Sequence, residues 1–343
     1  MTTCYFIHFA HVTDREEVIL SEIESLNPDL IFGLCLEEYD YHYIFGKMMN
    51  IIQPYLKSNQ KTMKLIAPFV SENPVPDNII VEDSYGYYHW SVNTVKDCIN
   101  NNQRFTFTEN SKLFTNYNNN SKYQRAMLVD TLAKYDLIKD GIVTLVNPKA
   151  PNPFNGFLPY EYQYHDGSVL LDEQDFKLNS RIEYSPCEYP RSYFNGCIDI
   201  VSESTYNRGE YFVTEKTAKP IGALKPFMIF GAPNMNKFIA DKFSLELYDE
   251  FFDYSFDSEE DLNKRIEGIV QNLVRLRQLS RDELIAKYNS IEDKLINNRL
   301  AYIKIRDSLG FIPESLKFLQ NNSDVKLYGS TDASILGEMG IIK

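Results

Sequence analysis

Short apolar runs that alternate with stretches of helical periodicity constrain this chain more than any other feature. In the first half, Cys4–Ala10, Asp29–Leu36, Met63–Pro68 and Ile79–Glu82 read as strands, while Arg15–Leu26, Tyr43–Leu56 and His89–Asn100 read as helices. Apolar runs of this kind suit strands buried on both faces, and strand–helix alternation implies parallel sheets joined by right-handed crossovers. A second series follows: strand Leu113–Asn116, helix Tyr123–Tyr135, strands Gly141–Val146 and Cys197–Val201, a helix at Glu215, strand Phe227–Phe230 and helix Met235–Phe243. Two long amphipathic helices then run over Glu259–Gln278 and Arg281–Ile305, with Ser258 and Ser280 as their caps. The expectation is an α/β chain of two Rossmann-type domains with C-terminal helices. The first covers 1–108, with a hinge in the polar segment Asn101–Ser111; the second covers 109–306; and a tail, 307–343, packs back on the first. Between Asn147 and Arg191 the chain is rich in Pro, Tyr and Asn without a period, which marks a functional or mobile loop.

With 343 residues, two cores of ordinary size are affordable. A net charge of −13 argues against a protein that grips nucleic-acid phosphates over a broad face, because such binding needs clustered Lys and Arg. The 5 cysteines are odd in number, widely spaced and set in apolar runs, so neither a disulfide framework nor a zinc cluster is expected. The N-terminus opens on the strand-like CYFIHFA with no signal-peptide pattern, and no apolar run reaches the roughly 18 to 20 residues of a membrane span. A cytoplasmic setting, in a bacterium or a phage-infected host, is the expectation.

The chemistry concentrates between Cys197 and Pro233, in CIDIVSESTYNRGEYFVTEKTAKPIGALKPFMIFGAP. A buried strand ends in the polar loop of Glu203, Ser204 and Thr205. Thr214 is placed to cap a helix that opens with Glu215, Lys216 and Thr217. Free N–H groups and the positive end of the dipole attract phosphate at such a start, Lys216 adds a full charge, and Glu215 can accept from ribose hydroxyls. Pro220 predicts a short or bent helix. Upstream, Arg125 follows an Asn/Ser loop that leaves a strand, where a guanidinium reaches a diphosphate bidentately.

These two segments resemble a family. Glu203-Ser204, an aromatic, Thr214-Glu215-Lys216 and an apolar strand closing in Gly231 look like the donor motif of α1,3-fucosyltransferases and, more loosely, of other GT-B glycosyltransferases. TEKT-x-KPI followed by PF resembles glycosyltransferases of tailed phages more closely. Lys112–Leu145, with its R-x-x-x-V-x-x-L-x-x-Y helix, resembles both. The resemblance implies a GT-B-like fold whose two domains face across a cleft, the first holding the acceptor and the second a GDP- or UDP-linked sugar. It implies transfer to an acceptor hydroxyl with inversion, with no cofactor besides the nucleotide-sugar and without an obligatory metal; a glycan and a hydroxymethylated DNA base are both open as acceptors, the net charge of −13 favouring the glycan. The donor set it implies is Asn118, Arg125, Glu203, Ser204, Phe212, Thr214, Glu215, Lys216 and Thr217.

Each of these has a plainer reading. Asn118 suits a turn, Glu203 can cap the next turn, and Phe212 can pack in a core. For the base that activates the acceptor, residues at carboxyl ends of first-domain strands qualify: His11, Glu38 and Asp40, with Glu37, Glu82 and Asp83 as further candidates. Repulsion among Glu37, Glu38 and Asp40 would raise one carboxyl towards the range of a base. A non-catalytic carbohydrate- or nucleotide-binding protein is the alternative. An NAD-dependent enzyme is disfavoured, since no G-x-G-x-x-G follows a strand.

Overall fold

The computed structural model describes residues 2–8, 15–34, 45–67, 76–83, 86–118, 122–145, 189, 191–207, 209, 211–307, 316–317 and 324–329. In chain order the strands are β1 Thr2–His8, β2 Leu30–Leu34, β3 Met63–Ala67, β4 Ile79–Asp83, β5 Lys112–Asn116, β6 Gly141–Val143, β7 Gly196–Ser202, β8 Phe227–Phe230 and β9 Val325–Gly329. The helices are α1 Glu16–Leu26, α2 Phe45–Ser58, α3 Gly86–Asn100, α4 Tyr123–Lys134, α5 Glu215–Gly222, α6 Met235–Phe243, α7 Leu262–Arg277, α8 Arg281–Asn289 and α9 Glu292–Asp307. The chain divides into two compact units: Met1–His89, Gly209–Val213 and Arg306–Lys343 form one, Trp90–Arg208 and Thr214–Ile305 the other.

The first unit holds a sheet of order β4-β3-β2-β1-β9 in which every pairing is parallel. Cys4, Tyr5, Phe6 and Ile7 of β1 are buried without alternation, as a strand covered on both faces requires. Its core gathers Tyr5, Ile19 and Ile23 of α1, Ile52 and Leu56 of α2, Met63, Leu65 and Phe212. Asn27 ends α1 in the left-handed conformation, its N–H donating to Ile23 O. At the far edge Gly329, with φ +129°, lies so close to β1 that a Cβ would stand 1.9 Å from Phe6 O. The C-terminal stretch thus returns a strand to the first sheet.

The second unit carries a sheet of order β6-β5-β7-β8, again parallel throughout. All residues of β7 and β8 are buried. After β5 the chain adds β6 on one side and then β7 on the other. This reversal makes the carboxyl ends of β5 and β7 a topological switch point, where open α/β sheets bind ligands.

Several expectations change. The boundary expected at 108 falls earlier, inside α3, because Val92, Val95 and Cys98 bury against the second unit's own residues: Gly222 lies so near that its Cβ would be 3.1 Å from Val95 Cα. The expected hinge at Asn101–Ser111 is pinned there as well, since buried Phe105 donates its N–H to Ala223 O at 2.9 Å and meets the Tyr288 ring. The helix expected over Arg281–Ile305 breaks into α8 and α9 at Ser290-Ile291, where Ile291 turns inward. Ser280 caps α8 in a full capping box, as expected. Helix α7 is capped by Asp261, which accepts from Lys264 N at 3.0 Å, whereas Ser258 ends a 3-10 turn. The stretch 147–188 lies outside the described residues.

Candidate functional site

The site grows from the end of β7. Glu203 continues the strand by donating its N–H to Phe230 O at 2.9 Å, and its carboxylate is fully buried. Thr214 N and Thr217 Oγ1 donate to its Oε1 at 3.1 and 2.7 Å, and Thr214 Oγ1 donates to Oε2 at 2.8 Å. A carboxylate is thereby locked against the positive end of α5. Thr214 caps the helix from an extended conformation, its Oγ1 accepting from Lys216 N at 3.2 Å. Lys216, with 25% of its side chain exposed, places Nζ 3.0 Å from Thr214 Oγ1, 3.6 Å from Glu215 Oε1 and 4.0 Å from Glu203 Oε2. Pro220 sits inside this helix of 8 residues, in keeping with the expected short element.

Helix α4 supplies the facing side. Arg125, buried in its first turn, donates Nη2 to Ser202 O at 3.2 Å and to Glu203 O at 3.4 Å. Lys122 Nζ and Gln124 Nε2 both donate to Ser204 O at 3.3 Å. Along the sheet edge, Asn116 Nδ2 donates to Ile200 O and Ser202 Oγ, and Asn118 Nδ2 donates to Asn116 Oδ1 and Thr144 O. A polar ladder therefore crosses the carboxyl ends of β6, β5 and β7. Buried Asn118 Oδ1 and Gln124 Oε1 have no hydrogen-bond partner among the described residues.

Charged side chains of both signs gather at this edge. Lys122, Arg125, Lys216 and Lys219 surround Glu203 and Glu215, in a chain whose net charge is −13. Burial by itself would push the Glu215 carboxyl up, yet Lys216 and Lys219, the residue's own N–H and Arg125 outweigh it and hold the group below its ordinary value.

Of the expected donor set, the structure brings Arg125, Glu203, Ser204, Thr214, Glu215, Lys216 and Thr217 to one switch point, with Asn118 on the adjoining strand end. Asn118, Glu203 and Thr217 are fully buried, and the hydrogen bonds of Glu203 and Thr217 hold α5 to β7. Phe212 is not there: it packs with Tyr5, Ile23 and Leu56 in the first unit's core, the plainer of its two readings. His11, Glu37, Glu38 and Asp40 lie outside the described residues, and Glu82 pairs with Lys64 at 3.3 Å. Sequence reasoning missed Lys122, Gln124 and Thr144. The cluster of polar residues just ahead of Arg125 was the available signal for the first two; nothing local marks Thr144, whose partner lies 26 positions away.

Among the described residues no group of three His, Cys, Asp or Glu side chains is placed to hold a metal, and no helix is long and apolar enough to cross a membrane. No family model matches the chain, and no curated protein or solved structure does so. What the fold defines is a parallel α/β protein of two compact units.

Proposed function

We propose that this protein is a GT-B-like glycosyltransferase that moves a sugar from a nucleoside-diphosphate donor, GDP- or UDP-linked, to an acceptor hydroxyl with inversion. The observation that carries this reading is the meeting of Arg125, Lys216 and the N-terminus of α5 at the switch point between β5 and β7. The departing nucleoside diphosphate gains charge in the transition state. Fixed cations and a helix terminus stabilise that charge without reorganising, so a metal is dispensable in this scheme. Glu215, kept ionised, accepts from the ribose hydroxyls. The acceptor is a glycan in preference to a hydroxymethylated DNA base, since the charge of −13 disfavours a polyanion. The base that activates it is one of His11, Glu38 and Asp40, and its removal is expected to slow transfer by about 10² to 10⁴ while donor affinity stays unchanged.

Calorimetry with GDP, UDP, dTDP and CMP against their nucleosides tests the site. One nucleoside diphosphate should bind more tightly than its nucleoside, and Lys216→Ala should weaken the diphosphate by about 10- to 100-fold, the worth of a charge-assisted hydrogen bond. Transfer should survive EDTA. If folded wild-type protein binds neither GDP nor UDP, the proposal fails.

A further inference from the structure

The geometry points to Glu203 as a positioning residue that acts on the donor's phosphates only through Thr214 and Lys216, touching no part of the donor itself. This rests on the glycosyl-transfer reading above and assigns Glu203 a role different from the donor contact expected from the sequence.

Hydrogen-bond polarity fixes the direction of each contact around Thr214. An ionised carboxylate can only accept. Because Glu203 Oε2 faces Thr214 Oγ1 at 2.8 Å, the threonine must spend its single proton on Glu203. Its lone pairs are then turned towards donors, and two donors use them: Lys216 N at 3.2 Å and Lys216 Nζ at 3.0 Å. One hydroxyl thus caps the helix and holds the lysine's amino group at the first turn of α5. Without the carboxylate, that hydroxyl is free to reverse, and the amino group keeps Glu215 Oε1 at 3.6 Å but loses the contact that holds it over the helix cap. Glu203 is itself immobile. Its N–H is bound to Phe230 O, its carbonyl oxygen accepts from Arg125, and its Oε1 takes Thr214 N and Thr217 Oγ1. The carboxylate is fully buried, so it offers no surface to a ligand, yet it stands 4.0 Å from Lys216 Nζ. Its charge reaches the phosphates through the lysine it orients.

In Glu203→Gln the amide oxygen is claimed by Thr214 N and Thr217 Oγ1, which leaves the amide nitrogen facing Thr214 Oγ1. Two donors then confront each other unless the hydroxyl turns round, and a hydroxyl that accepts from the amide has less capacity for Lys216. The shape of the side chain is retained, so the substitution tests charge and polarity separately from packing.

The experiment is a double-mutant cycle on the full-length protein, with Glu203→Gln, Lys216→Met and the pair, read by calorimetry with GDP, UDP, guanosine and uridine. Glu203→Gln alone should weaken the bound diphosphate about tenfold and leave its nucleoside within about twofold, the scale of one charge-assisted contact. In the Lys216→Met background the same change should cost less than about twofold, because the residue it acts through is gone. Amide exchange at Thr214, Lys216 and Thr217 in ligand-free Glu203→Gln should quicken, which reads the positioning with no nucleotide present. Additive losses in the two backgrounds, equal loss for nucleoside and diphosphate, or unchanged amide exchange would each overturn the role given to Glu203 even where GDP or UDP binds. Failure of wild type to bind either nucleotide overturns the functional reading itself and this role with it.

Discussion

Lys225 carries an ammonium into the interior of the second unit. It is fully buried, with Nζ 2.6 Å from Thr115 Oγ1, 3.2 Å from Tyr193 O and 4.1 Å from the Tyr193 ring centroid. Asp199 answers the charge, taking the Thr115 hydroxyl on Oδ1 at 3.0 Å and the Tyr193 hydroxyl on Oδ2. Burial lowers the lysine from its ordinary 10.5 to about 8, against the opposing pull of Asp199 and Cys197. Below pH 8 both folded and unfolded chains hold the proton, and the full cost of burying the charge is present. Between pH 8 and 10.5 the unfolded chain keeps the proton that the folded chain has released, so this group adds stability as pH rises. Buried thiols act in the opposite sense, because Cys4 and Cys98 are pushed to about 11 and Cys197 to about 12, and the folded chain holds protons that the unfolded one loses. The difference between wild type and Lys225→Met isolates the lysine. Denaturant unfolding at pH 7, 8, 9 and 10 should show wild type gaining on the variant with a slope approaching about 1.4 kcal/mol per pH unit, the limit for one proton. A constant difference across that window would mean that Lys225 is not titrating there. None of this was legible in the sequence: a lysine before Pro226 reads as surface, and its partner Thr115 is 110 positions away.

The elements themselves were largely legible, and the reason is physical. Strands covered on both faces, such as β7 and β8, must be apolar throughout, and that pattern needs no knowledge of the fold. The residues around the start of α5 were legible for a related reason: strand, loop and helix from β7 through α5 to β8 are consecutive, so their chemistry is written locally. Caps were harder. Asp257, Ser258 and Asp261 lie within five positions, and each is a favoured helix cap by residue type alone. Tertiary contacts decide between them. Asp257 accepts from Asn236 N and Lys237 N and so caps α6 across a gap of about 20 positions, while Asp261 is left to cap α7. Asp261→Ala should therefore lower stability by about 0.5 to 2 kcal/mol, and Ser258→Ala, whose hydroxyl makes one exposed 3.4 Å bond to Ser255 O, should change it by less than about 0.5 kcal/mol. Guanidinium unfolding of the two variants checks the order, and the reverse order would restore the cap to Ser258.

At the scale of the whole molecule, the two units place different demands on the chain. The second is drawn from 90–208 and 214–305, whereas the first is completed only when the chain returns after residue 305 and lays β9 against β1. Local pattern could suggest a tail that packs back, but not that it enters a sheet, because parallel partners share no turn and the register Thr2↔Val325 to Phe6↔Gly329 is set by distant residues. Gly329 is the visible trace of that pairing, since any side chain there would strike Phe6 O. Chain ending after Asp307 removes β9 and leaves β1 as an unpaired edge. Two units with separate sheets need not unfold together, so a single transition is not assumed. Hydrogen exchange on the truncated protein should show protection falling at Cys4–Ile7 while Gly196–Ser202 stays as protected as in the full chain. Nucleoside-diphosphate affinity should also persist, because every residue placed at the switch point between β5 and β7 belongs to the second unit. Equal loss of protection in both sheets would show instead that the units unfold as one cooperative body.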